Sequence, residues 1–214
     1  AAFHYYCRRE MSTKILSSPH ERKTMSTSHK NKIRTLSLQS LENRHMMTGN
    51  VLGLMSGTTL ELTGDANDNE IEVVQIAPNT IEVIGHSGTT VNGLPSDLFA
   101  FSLLENIQAD LHDGNDKAAF ESIVLPDSLN VTTGIGDDDV KLHRVQTYQS
   151  SINTGDDQDR VRIHDVNVAD RLTIETESGK DVVTLHRLQT NELDVFTGYE
   201  NDRVGMHRVH VGGI

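Results

Sequence analysis

The stretch Val140-Lys141-Leu142-His143-Arg144-Val145 is written four times in this chain. It returns as Val161-Arg162-Ile163-His164-Asp165-Val166, as Val183-Thr184-Leu185-His186-Arg187-Leu188, and as Val204-Gly205-Met206-His207-Arg208-Val209. The steps are 21, 22 and 21 residues. A fixed period of this size means stacked units, none of which can bury its apolar face alone.

Worked backward, the triplet Val140, Leu142, Val145 aligns with Ala118, Phe120, Ile123, then with Phe99, Phe101, Leu104, and finally with Ile71, Val73, Ile76. A second short strand follows each triplet: Ile107-Gln-Ala109, Leu129-Asn-Val131, Ile152-Asn153, Leu172-Thr-Ile174, Leu193-Asp-Val195. Each unit thus reads strand, corner, strand, turn, with the period-2 alternation of half-buried strands. Leucine-rich repeats need a Leu-x-x-Leu-x-Leu frame and helical repeats a 3.6 period; neither is present. The expectation is an all-β fold, a parallel β-helix (β-solenoid) of about seven coils with a period of 19–22 residues, stacked in register at about 4.8 Å. Ile81-Glu-Val83-Ile84-Gly85 and Thr90-Val91-Asn92-Gly93 predict an additional hairpin at the entry coil, where an open solenoid end needs a cap.

Aromatic residues make up 4% of the chain and there is no Trp, which suits a core of small aliphatic side chains. The net charge of -12 is unevenly spread. Residues 1–50 hold nine Lys/Arg against three Asp/Glu, and residues 51–214 hold ten against twenty-eight. An anionic repeat body excludes nucleic acid as its partner and favours divalent cations. The single cysteine, Cys7, does not report the redox compartment. No stretch approaches the roughly 18–20 apolar residues of a membrane span. The start at Ala1 and the stop at Gly213-Ile214, inside what would be another turn, predict a reading frame cut at one or both ends.

Two domains are expected: a disordered basic leader over 1–50 and a solenoid over 51–214. Within the leader, Leu41-Glu42-Asn43-Arg44-His45-Met46 resembles the Leu-Glu-x-Arg-x-Met/Leu element near the N-terminus of many secreted planctomycete-type bacterial proteins. The resemblance implies export, to the medium or the cell surface.

One acidic column stands two residues before each apolar triplet: Asp97, Asp116, Asp138, Asp159, Asp181 and Asp202, with Asn69 in the first coil. Gly or acidic neighbours precede most of them, as in Gly134-Ile-Gly136-Asp137-Asp138-Asp139 and Gly155-Asp156-Asp157-Gln158-Asp159. Carboxylates on Gly-rich turns suit hard cations. The pattern resembles the RTX family, whose Gly-Gly-x-Gly-x-Asp nonapeptide binds Ca²⁺ between turns. The resemblance implies a Ca²⁺ site drawn from Asp116, Asp137, Asp138, Asp157, Asp159, Asp181 and Asp202. The competing reading is a turn cap, each Asp accepting backbone N–H groups. Capping needs one Asp per coil and does not account for the extra acids.

Thr133, Thr154, Thr176 and Thr197 form a structural column. The column His143, His164, His186, His207 points outward by alternation, with Arg144, Arg187 and Arg208 beside three of its members. It reads first as a solvated stack of rings. A transition metal or an acidic glycan is the functional alternative, although a straight row is a poor tetrahedral cage. Polysaccharide cleavage would need opposed carboxylates in a walled cleft, and coils of nearly constant length build none. The function expected is a non-enzymatic extracellular or cell-surface structural or adhesion-type module, stiffened by Ca²⁺. Its partners would be cations, glycans or other surface proteins. A carbohydrate-active or glycan-binding β-helix using the His/Arg face is the alternative.

Overall fold

The computed structural model describes residues 49–213; the export element and all of the expected leader but its last two residues lie outside them. The described residues are strand and turn throughout, so no helix among them is long and apolar enough to cross a membrane. The strands are β1 (Asn50–Ser56), β2 (Thr59–Thr63), β3 (Glu70–Ala77), β4 (Thr80–Gly85), β5 (Thr90–Val91), β6 (Ser96–Ala100), β7 (Asn106–Asp110) and β8 (Lys117–Glu121). They continue as β9 (Ser128–Thr132), β10 (Asp139–His143), β11 (Gln146–Thr147), β12 (Gln149–Asn153), β13 (Arg160–Glu175), β14 (Val182–Phe196) and β15 (Arg203–Val211).

The repeats stack as parallel in-register strands. One face runs β3, β8, β10 and then the first parts of β13, β14 and β15. Along it Ala118, Val140, Val161, Val183 and Val204 are successive partners, and so are Phe120, Leu142, Ile163, Leu185 and Met206. The second face runs β2, β7, β9, β12 and the later parts of β13 and β14. Alternation turns the apolar columns of both faces inward, where they form one continuous core from Val51 to Leu188. The chain is therefore a parallel β-solenoid, of about five turns rather than the seven expected.

The difference lies at the N-terminal end. Ala118 pairs with Ile71, and Phe120 with Val73, so no other strand of the first face lies between them, and β4 to β6 are an excursion before β7 rejoins the second face. Phe99 and its neighbours belong to β6, which lies antiparallel on β4 with Ile81 opposite Phe99. β4 in turn is the antiparallel return of β3, and β1 the antiparallel neighbour of β2. These hairpins cover the parallel edges that a first coil would otherwise present as unpaired N–H and C=O groups. Phe99 closes the cap against Gly53, where any Cβ would come within 2.3 Å of the ring.

Each corner after the His column turns through a left-handed residue: Ser122, Arg144, Asp165, Arg187 and Arg208 have φ between 53° and 56°. None is glycine. The bend carries the chain from the first face toward the second while the next apolar residue, such as Val145 or Val166, stays inside.

Candidate functional site

The seven candidate Asp residues sit at the opposite corner, where two hydrogen-bond ladders run in opposite directions. In the inner ladder each carboxylate accepts the backbone N–H of its equivalent one coil nearer the N-terminus. Asn69 N–H donates to Asp116 Oδ1 at 2.7 Å, Asp116 N–H to Asp138 at 2.7 Å, and Asp138 N–H to Asp159 at 2.9 Å. Asp159 N–H donates to Asp181 at 2.9 Å and Asp181 N–H to Asp202 at 3.1 Å. In the outer ladder the sense reverses: Asn115 N–H donates to Asp68 Oδ1, Asp137 N–H to Asn115 Oδ1, and Gln158 N–H to Asp137 Oδ1.

Six of the seven residues are thus engaged in stitching coil to coil. Asp116, Asp138, Asp159 and Asp181 are buried, Asp202 is half-buried, and Asp137 is exposed. Asp157 is exposed and left-handed at φ 89°, and it shares its column with Gly114, Gly136, Gly179 and Glu200, the last also left-handed at φ 88°. The glycine is required at Gly179, where a Cβ would sit 1.7 Å from the carbonyl oxygen of Asp157 below it. Among the described residues, none of the seven joins a cluster of three donor side chains close enough to share one cation. The geometry is that of turn capping, extended from within one turn to between turns. That two-ladder arrangement also gives Asp137 and Asn115 a purpose that one Asp per coil does not.

Burial sets the charge state of the inner ladder. Withdrawal from water pushes Asp116 up to about 7, Asp138 to about 6 and Asp159 to about 8, against the lowering effect of the N–H bonds they accept. Asp181 is also raised by burial. The Thr133 and Thr154 side chains lower Asp138 and Asp159 in part, and Thr176 Oγ1 donates to Asp181 Oδ2 at 2.7 Å, whereas the second oxygen of Asp116 is buried without a hydrogen-bond partner. The Thr column therefore lines the interior beside the Asp column, a juxtaposition that sequence spacing alone did not show.

The His column lies on the outer surface of the first face and stacks as expected. Ring centroids are 5.3 Å apart for His143–His164, tilted by 56°, then 4.7 Å for His164–His186 and 4.9 Å for His186–His207, both nearly parallel. His143 Nδ1 lies 2.6 Å from Glu121 Oε1, and this contact holds Glu121 below the ordinary carboxylate range. Partial desolvation, then the charges of His164 and Arg187, hold His186 below the ordinary imidazole value. A groove of about 330 Å³ runs beside the rings, lined by Lys141, Arg162, His143, His164 and His186. Arg162 is tied to Asp139 at 2.8 Å. At the corner, Arg187 donates to Asp165 through Nη2, with its Nε in ion-pair contact with the same carboxylate, and Nη2 also reaches His164 Nε2 at 3.1 Å.

Comparison with protein families, with curated proteins and with solved structures finds no match to this chain.

Proposed function

We propose that this protein is a non-enzymatic structural module of the extracellular or cell-surface kind, adhesive through its flat outer faces. The observation that carries the reading is the pair of counter-running ladders. They commit the repeat's acidic and amide side chains to holding one coil on the next. Such a body is a spacer or scaffold whose length is set by repeat number. The Leu41-Glu42-Asn43-Arg44 element and the anionic repeat body support export.

Calcium has a reduced place in this proposal. Asp157, with Asp156 and Glu200 beside it around an open surface hollow, is the part of the acidic edge left to meet a cation. Unfolding of the full chain in calcium and in EGTA should therefore differ by about 2 °C or less, the effect of loose surface binding. A calcium-specific rise of 10 °C or more would restore the RTX-like reading. Location is checked separately: antibodies to the solenoid should label intact source cells or their medium. Label found only after permeabilisation would sink the extracellular assignment.

A second reading follows from the groove beside the His column. Lys141, Arg162 and three stacked imidazoles suit an acidic glycan lying along the solenoid axis. Retention of the protein on acidic polysaccharide, abolished by Lys141→Ala with Arg162→Ala, would favour it over the scaffold alone. Release of new chain ends from that polysaccharide would overturn the non-enzymatic assignment.

A further inference from the structure

The corner column reads Arg144, Asp165, Arg187, Arg208 through the four clear repeats, and its one acid lies beside two imidazoles. His143, His164 and Asp165 each place one donor atom within 4.8 Å of the others, and among the described residues they are the group of three that does so. A straight row of imidazoles is a poor cage. Asp165 adds the off-axis ligand that the row lacks, and the 56° tilt between His143 and His164 breaks the parallel stacking at this rung alone.

Hydrogen bonds fix the state of each ligand. Glu121 takes His143 Nδ1, so Nε2 is left as the donor atom of that ring, in the carboxylate–imidazole arrangement that supports metal ligands. A guanidinium can only donate, so the contact from Arg187 makes His164 Nε2 an acceptor with an available lone pair. His164 Nδ1 is buried and lies 3.0 Å from Asp165 Oδ2 without an aligned hydrogen bond. One positive group, Arg187, already bridges His164 and Asp165.

We propose that His143, His164 and Asp165 form a surface site for a first-row transition cation such as Zn²⁺ or Cu²⁺, with the Arg187 guanidinium holding the cation's place. Two imidazoles and one carboxylate select such ions over Ca²⁺ or Mg²⁺, which want oxygen ligands. Zinc–nitrogen bonds are about 2.0–2.1 Å, so the three ligands must draw together by roughly an ångström on binding. Half-buried side chains on one face can do this by rotamer adjustment, with water completing the shell. Binding swings Arg187 away from Asp165.

The test is calorimetric titration of the full chain with Zn²⁺, and separately with Cu²⁺, at pH 7.5 in a non-coordinating buffer. One ion per chain is expected, undisturbed by excess Ca²⁺. Arg187→Gln should tighten binding about fivefold, the worth of one exposed ion pair. Glu121→Gln should weaken it about tenfold through His143. His143→Gln with His164→Gln should abolish it, and circular dichroism of that variant should be unchanged, since both rings lie outside the core. Binding that survives the double substitution would place the ion elsewhere and overturn the proposal. So would the absence of binding in both the native chain and Arg187→Gln.

Discussion

At the scale of single residues, the inner Asp column behaves as a set of stored protons. In an unfolded chain these carboxyls titrate near 3.9. Folding raises Asp116 to about 7 and Asp159 to about 8, so the folded chain holds protons that the unfolded chain has released. The resulting stabilisation is complete below about pH 4 and is lost as pH climbs through 6 to 8. Charge on Asp68, Asp137, Asp157, Glu200 and Asp202 pushes the column the same way. The melting temperature should therefore fall between pH 6.5 and pH 8.5. Asn69 shows what a neutral rung looks like, since it occupies the first position of the same column. Asp138→Asn with Asp159→Asn should flatten the pH dependence and raise the melting temperature at pH 8.5 by about 2–4 °C, equivalent to ~1 kcal/mol. Asp138→Ala should instead cost about 1–3 kcal/mol at every pH, because the buried Asp116 N–H loses its acceptor. A chain more stable at pH 8.5 than at 6.5, or a double Asn variant that keeps the native slope, would refute the account.

At the scale of elements, the parallel strands were legible because register repeats letters: Val140, Val161, Val183 and Val204 occupy one column in sequence and in space. The same logic misplaced Phe99. An antiparallel strand alternates apolar and polar residues as a parallel one does, and the 19 residues from Phe99 to Ala118 fall near the repeat length by coincidence. The inner Asp column was visible, but its direction was not. Which neighbour supplies the N–H depends on how the turn tilts, and composition does not record tilt. The left-handed corners were invisible for a simpler reason, since they carry Arg, Asp and Ser rather than Gly. For L residues that conformation costs roughly 1–2 kcal/mol. Arg144 tests it cleanly, with φ 55° and an exposed side chain. Arg144→Asn should raise stability by about 0.5 kcal/mol, because Asn tolerates this region, and Arg144→Val should lower it by about 1 kcal/mol or more. Urea midpoints ordered Asn, Arg, Val from most to least stable would establish the strain, and Val at or above Arg would dismiss it.

At the scale of the whole molecule, a solenoid's stability is close to a sum of nearest-neighbour contacts, so a residue's worth depends on how many coils cover it. The column through Leu142, Ile163, Leu185 and Met206 offers an internal comparison. Ile163 is covered on both sides, by Leu142 and Leu185, and is 1% exposed. Met206 has Leu185 on one side only and is 55% exposed, as Val204 and Val211 of the same strand are 42% and 50% exposed. Truncating a buried Ile or Met to Ala ordinarily costs about 2–5 kcal/mol. Ile163→Ala should fall in that range, and Met206→Ala should cost less than about 1 kcal/mol, because the surface it would expose is exposed already. Amide exchange should follow the same gradient, slowest in β10 and the first part of β13 and fastest in β15, whose outer edge has no neighbouring strand among the described residues. Equal costs at Ile163 and Met206, together with protected amides in β15, would show that another surface covers this end of the solenoid in solution. Unequal costs would show that in this chain β15 is covered on one side only.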